Sequence, residues 1–423
     1  MSEEDDDYAA TVPAELRSEP TVAPVKAPPA FIPMPMPMPE HSNRKLRIAF
    51  TGSGSEYFRI WIVNLLLILV TFGLYFPWAK VRRLRYFYGN TVVDGEPLGF
   101  HGNAFKMFKG FLIVAAFFAL YSVAGKVSPA AGFVAFLAIA ALWPALLKSS
   151  MQFRMANTSW RGLRFGFSGS LRDAYAACLP LFVPGVLILG VMLMAPELQE
   201  AAPAKAPSGM WLSVFGAVML FALVITPWLM WNLKRYQHNH YHLGQETTQF
   251  SAPARSYYWL CLKVIGVAFL IYLLLIAVVV GGVLGAGALS MAGKLPKGPM
   301  GQVLIGVASV FFSLLAFAAI KPYAVARFQN LVWNGTRSAH MQFISSLRAR
   351  HVIALSFKNW ILMLLTLGLY WPFASIAMAR LRLQAVQVVS TLSPSALVAA
   401  TANAEGQATG DAAGDFFGFD IGL

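Results

Sequence analysis

The sequence predicts an all-α integral membrane protein, a helical bundle of pseudo-repeats carrying short cytoplasmic β-hairpins. Three observations carry that prediction. Hydrophobic residues make up 57% of the 423 residues and charged ones only 12%, with a mean hydropathy of +0.59; soluble domains carry about 25% charged residues. Eight apolar segments recur along the chain, several of them long enough for the roughly 20 helical residues that cross a hydrocarbon core. Finally, a pattern of proline, basic–aromatic patch, Asn-Thr, turn and Phe-x-Gly first appears between Asn64 and Gly102, and parts of it return downstream.

Taken in order, residues 1–43 are rich in Pro, Ala and Glu and read as a flexible arm, too poor in buriable surface to fold. The opening Met1–Asp7 is acidic where a secretory signal would be basic. Lys45–Phe50 is strand-like. The apolar segments then run over Phe58–Ala79, Phe108–Ala124, Ala130–Leu147, Ala174–Ala195, Trp211–Trp231, Tyr258–Leu284, Val303–Ile320 and Asn359–Ala379. Joins after the second, fourth and sixth are poor in charge, whereas those after the first, third, fifth and seventh are basic and therefore cytoplasmic by the positive-inside rule. Residues 44–382 thus form a polytopic membrane region of about five pseudo-repeats, and residues 383–423 a flexible acidic tail.

The net charge of +14 comes from Lys and Arg placed beside apolar runs. It points to the bilayer and its anionic headgroups as partners, not to nucleic acid. Acidic residues cluster in the termini, and none lies within an apolar span. Cys178 and Cys261 lack metal or redox spacing and read as packing residues.

Pro77, Asn90, Thr91, Phe100 and Gly102 recur 67 positions later as Pro144, Asn157, Thr158, Phe167 and Gly169. Pro227, His240 and Phe250 match at a shift of 150, and Pro322, Asn334 and Phe343 form a looser copy. Thr71–Ala79 returns as Thr366–Ala374 at a shift of 295, which also carries Asn64 to Asn359 and Arg85 to Arg380. Asp94-Gly95 is a strong hairpin signal; Arg161-Gly162 and Leu243-Gly244 hold the same place with weaker turn chemistry. Between Phe50 and Pro77, and between Phe343 and Pro372, there is room for one apolar segment only. If all Phe-x-Gly strands share one side, those two segments enter and leave on it, broken at Gly73 and Gly368. Eight full spans with both tails outside is the alternative path.

At Phe50–Gly95 the chain resembles the YjgN family of bacterial inner-membrane proteins, and the resemblance extends over most of residues 44–382 and the terminal Phe419–Leu423. The resemblance implies location and fold and brings no catalytic residues or cofactor. It also implies, weakly, a protein partner such as a membrane protease.

Four groups of residues invite chemistry. His238, His240 and His242 have the spacing of a metal site, but only Glu246 lies near them in sequence, so an interfacial polar face is the plainer reading and no metal is expected. Gly52–Glu56 lacks the Lys-Ser/Thr of a phosphate loop. His101, His340 and His351 are isolated. Asn64, Asn359, Thr71 and Thr366 are paired polar residues at equivalent places; they serve either as interhelical hydrogen-bond partners or as a binding site at a pseudo-symmetry interface. Arg85, Arg235 and Arg380 each stand eight residues after a proline, where an anion- or headgroup-attracting rim is the alternative to simple topology signals. No nucleophile–base arrangement supports an enzyme. Two functions remain: a transport, channel or lipid-handling protein, or a membrane scaffold or regulator of a partner.

Overall fold

The computed structural model describes residues 44–194, 209–291 and 299–396. The Pro-rich arm, most of the join Pro196–Met210 and the tail beyond 396 lie outside the described residues.

The chain builds five successive strand–helix–helix–strand units. The first runs through β1 (Arg44–Phe50), α1 (Gly54–Val70), α2 (Phe76–Gly89) and β2 (Thr91–Val93). The second comprises β3 (Glu96–Phe100), α3 (Ala104–Val127), α4 (Pro129–Ala156) and β4 (Thr158–Trp160). The third begins with β5 (Leu163–Phe167) and α5 (Leu171–Cys178). It continues through a 3₁₀ turn (Leu179–Phe182) and α6 (Val183–Met194) to α7 (Gly209–Asn239) and β6 (Tyr241–Leu243). The fourth follows β7 (Glu246–Thr247) with β8 (Gln249–Phe250), α8 (Ala254–Met291), α9 (Pro299–Asn334) and β9 (Thr336–Arg337). The last is β10 (Met341–Ser345), α10 (Ala349–Leu365), α11 (Trp371–Gln384) and β11 (Val386–Ser390).

The strands correct the all-α expectation. The hairpins pair with one another into a single 11-stranded antiparallel sheet, in the order β7-β6-β5-β4-β3-β2-β1-β11-β10-β9-β8. The two ends of that order are neighbours in sequence, parted only by Thr248, whose N–H donates to the Tyr241 carbonyl at 2.8 Å. The sheet is therefore a closed barrel, with β7 and β8 as one strand kinked between two partners. Closure removes the exposed edges that isolated hairpins would leave. β11 lies beyond the expected start of the tail at 383, and it pairs with both β1 and β10. Leu46, Val93, Leu98, Trp160, Leu163, Leu243, Met341 and Val388, from β1 to β6 and from β10 and β11, meet in one apolar cluster. The barrel interior is a packed core, not an open channel.

Every unit is tied at its neck by one backbone bond from the residue after its first strand to the residue before its second. These run from Thr51 to Asn90 (2.9 Å), His101 to Asn157 (2.8 Å), Ser168 to His240 (2.9 Å), Ser251 to Gly335 (2.7 Å) and Ser346 to Ala385 (3.0 Å). The Asn-Thr motif ends the helices above the neck. Asn90 and Asn157 donate through Nδ2 to the carbonyls of Tyr86 and Phe153, while Thr91, Thr158 and Thr336 donate to the carbonyls of Phe87, Arg154 and Val332. These bonds satisfy carbonyls that a helix end leaves open. In Phe-x-Gly, the rings of Phe50, Phe100 and Phe167 fold over Gly52, Gly102 and Gly169, where a Cβ would stand within 2.9 Å of the ring.

All helices leave the barrel at this neck end, and the hairpin turns occupy the other. Among the described residues five helical stretches are long and apolar enough to cross a membrane: Ala104–Val127, Pro129–Ala156, Leu171–Met194, Gly209–Asn239 and Ala254–Ala277. The first and last units follow the re-entrant path. α1 and α10 each stop after 17 residues, about 25 Å, and the chain turns back at Gly73 (φ +90°) and Gly368 (φ +89°). The two turns share one hydrogen-bond pattern. Thr71 and Thr366 donate to the carbonyls of Leu67 and Leu362, and accept from the N–H of Tyr75 and Tyr370. At the tips Phe72 and Leu367 are 97% and 94% exposed, as apolar residues facing lipid would be.

Candidate functional site

The helices that return to the barrel, α2, α4, α7, α9 and α11, carry the five prolines, and all five are buried. Helices of neighbouring units pack side by side, α2 on α3, α4 on α5 and α6, α7 on α8, α9 on α10 and α11 on α1, so the five units close a ring. Units that are not neighbours can meet only across its axis.

Lys234 and Arg382 do so, with Arg154 of an adjoining unit near them. Lys234 of α7 lies within electrostatic reach of both Arg154 of α4 and Arg382 of α11, which belong to the third, second and fifth units. Arg154 and Arg382 sit in the last turns of their helices, where the helix dipole favours positive charge. The polar groups holding Lys234 and Arg382 are neutral. Lys234 Nζ donates to Gln237 Oε1 at 3.0 Å, and Arg382 Nε to Gln329 Oε1 at 2.7 Å. Gln237 and Gln329 are both buried. Among the described residues, the acidic side chains in ion pairs are Asp94, Asp173 and Glu246, and none of them pairs with Lys234 or Arg382. Two cations held by neutral partners attract anions.

Arg382 also borders a cavity of about 530 Å³ between α9, α10 and α11, within the roughly 300–1,000 Å³ usual for ligand pockets. It runs from Arg382 near the barrel to Met363 and Trp371 beside the re-entrant turn, with Lys321 and Asn359 as further polar lining. Asn359 is buried and its Nδ2 donates to the Ala374 carbonyl at 3.4 Å, while its Oδ1 has no partner. Asn64 is buried at the equivalent place in α1, again with an unpartnered Oδ1. Thr71 and Thr366, by contrast, are taken up by the re-entrant turns.

Arg85, Arg235 and Arg380 are exposed. The Arg235 guanidinium lies over the Trp231 ring, and Arg380 donates to the Gly52 carbonyl at 2.8 Å. No contact among the described residues joins the three. Arg154, Gln237 and Arg382 stand ten residues after their prolines rather than eight, and two residues along a helix is a rotation of about 160° to the other face. The ten-residue register was available in the sequence, but helix-face orientation was needed to choose it.

The three histidines go to separate surroundings. His238 Nδ1 is 2.9 Å from Thr336 Oγ1, among the rings of Tyr241, Phe250 and Trp333. His240 Nδ1 lies 2.7 Å from the Tyr236 carbonyl, in the place that asparagine holds in earlier units. His242 packs on Gly166, its pairing partner in β5. Burial pushes the His242 imidazole below its ordinary pKa, and its Nδ1 has no partner.

A family model described as "Bacterial protein of unknown function (DUF898)" matches residues 45–416. A protein named inner membrane protein YjgN from Salmonella typhimurium is 31% identical over 159 residues, 36% of this chain and 40% of that protein. Its namesakes from Escherichia coli O157:H7 and strain K12 are 29% and 28% identical over 178 and 176 residues. Each of those two alignments covers 41% of this chain and 43% of the relative, so less than half of each relative is matched. No solved structure matches. Membrane-spanning helices, the match across most of the chain and these relatives agree: the chain belongs to the YjgN family of bacterial inner-membrane proteins, the family DUF898 of unknown function.

Proposed function

We propose that this protein handles an anionic ligand at the axis of its helical ring, in transport or in lipid handling. The observation that carries the reading is that Lys234 of the third unit lies within electrostatic reach of Arg382 of the fifth, across the ring, and of Arg154 of the adjoining second unit, while the Lys234 and Arg382 head groups are held by neutral, buried glutamines. In this reading the five units are pseudo-repeats around one axis, and the barrel lies on the cytoplasmic side, where the basic joins belong. The packed barrel core argues for a binding pocket over a continuous pore. Arg382 offers the planar donor fork that suits phosphate or carboxylate.

The test is anion-dependent thermal stabilisation of the full chain in phosphatidylcholine nanodiscs, with inorganic phosphate and phosphatidylglycerol as probes. Binding to the folded state raises the melting temperature. At least one probe should do so for the wild type and lose its effect in the Lys234→Gln/Arg382→Gln variant. An Arg85→Gln/Arg235→Gln variant, altered on the exposed face, should keep it. Equal stabilisation of the wild type and the axial variant would overturn the reading.

A further inference from the structure

We infer that the ligand is a phospholipid-like anionic amphiphile, its head at Arg382 and its acyl chain in the cavity between α9, α10 and α11. This rests on the anion-binding reading above and adds the ligand's class and its route of entry.

The cavity has Arg382 at its barrel end and a mostly apolar lining along its length, with Asn359 within it and Lys321 at its far rim. Arg382 lies two residues before the C-terminus of α11, next to the barrel, whereas Met363 and Trp371 lie at the far end of α10 and the start of α11. Val325, Val352 and Met378 line the space between, and Ala318 and Trp360 stand with Met363 and Trp371 at the far end. A cation below an apolar slot is complementary to an anionic head joined to a hydrocarbon chain. A small water-soluble anion would leave the apolar part without a partner.

The route follows from helix lengths. α9 has 36 residues, about 54 Å, and overreaches a hydrocarbon core of about 30 Å. α10 and α11 have 17 and 14 residues, about 25 and 21 Å, and end at a turn whose apolar tip is almost wholly exposed. The neighbouring first unit is equally short, with 17 and 14 residues in α1 and α2. Two adjacent units thus leave the ring wall low on one side, and α10 and α11 of the low wall also line the cavity. A lipid can pass sideways over the Phe72 and Leu367 tips without its chain meeting water.

The experiment uses the full chain in phosphatidylcholine nanodiscs with a minor fraction of phosphatidylglycerol, and native mass spectrometry counts the lipids retained. The wild type should retain phosphatidylglycerol over phosphatidylcholine by about tenfold, the effect of one or two charge-assisted hydrogen bonds. Ala318→Trp, which fills the apolar end, should abolish that preference while leaving stabilisation by inorganic phosphate intact. Arg382→Gln should remove both. A second readout needs no cavity-filling variant: phosphatidylglycerol with brominated acyl chains should quench Trp360 and Trp371 more than brominated phosphatidylcholine at equal content.

If Ala318→Trp keeps the preference, or the two brominated lipids quench equally, the lipid inference falls. Phosphate stabilisation lost in Arg382→Gln would then leave the anion reading standing. If the wild type shows neither lipid preference nor phosphate stabilisation, both fall.

Discussion

Gln329 and Arg382 clasp each other in both directions. Arg382 Nε donates to Gln329 Oε1 at 2.7 Å, and Gln329 Nε2 donates to the Arg382 main-chain carbonyl at 2.9 Å. The buried glutamine thereby fixes both the guanidinium and the end of α11 that carries it. Gln329→Leu should cost about 1–3 kcal/mol, because it leaves the guanidinium N–H and that carbonyl without their partner. Melting of the purified variant reads the loss; an unchanged melting temperature would show the clasp to be incidental.

The topology predicts that both ends of the described chain lie on one side of the membrane, since β1 and β11 share one barrel. With the two native cysteines replaced by serine, cysteines at Glu96 and Ser393 should react with an impermeant thiol reagent only in inside-out vesicles. Labelling of either from outside intact spheroplasts would reverse the assigned side, and labelling from opposite sides would break the barrel.

Closure of the ring between its first and last strands can be tested covalently. Arg44 and Ser390 are Cα partners across the β1–β11 pair, within the Cα spacing that a disulfide needs. An Arg44→Cys/Ser390→Cys variant should cross-link under mild oxidation, and a control pairing Arg44→Cys with Ser159→Cys should not. Absence of the first cross-link would mean that β11 does not close the ring.

Gly73 and Gly368 hold backbone conformations that cost an L side chain about 1–2 kcal/mol. Nothing lies within 4 Å of a Cβ at either position, so Ala at each tests conformation free of clash. Each single Ala variant should melt lower than the wild type, and the double variant lower still by about the sum, because the two turns are separate. A raised melting temperature would argue for a continuous helix through the turn.

His242 makes a pH prediction. Its folded pKa lies below its ordinary value of 6.5 because burial disfavours the charged ring. A depressed basic group contributes stability that is present above the unfolded pKa and is lost as pH falls below it. The wild type should therefore lose more melting temperature than His242→Gln when pH drops from about 7.5 to about 5.5. Identical losses would remove His242 as the cause.

Much of the architecture was legible in local chemistry. Proline register, Asn-Thr necks and Asp94-Gly95 mark the units, because helix ends and tight turns depend on a few neighbouring residues. Asp94 and Gly95 take positive φ as that turn signal implies, and so do Arg161 and Gly162, whose turn chemistry was weaker. There the tertiary context decides. The Arg161 guanidinium lies over the Trp160 ring and 3.5 Å from the Asp94 carboxylate of the neighbouring hairpin.

By itself the sequence determined the membrane class and the positions of the prolines, necks and turns, and it offered the breaks at Gly73 and Gly368 as one of two paths, all through hydropathy and short-range backbone preference. Only the tertiary structure decided that the hairpins join into one barrel, that Val386–Ser390 closes it, and that Lys234 comes within electrostatic reach of Arg154 and Arg382. Strands of two to seven residues carry too little alternation to name partners tens or hundreds of positions away. The face that a helix turns inward is likewise chosen by its neighbours in the ring, and a spacing of eight or ten residues becomes meaningful only once those neighbours are in place.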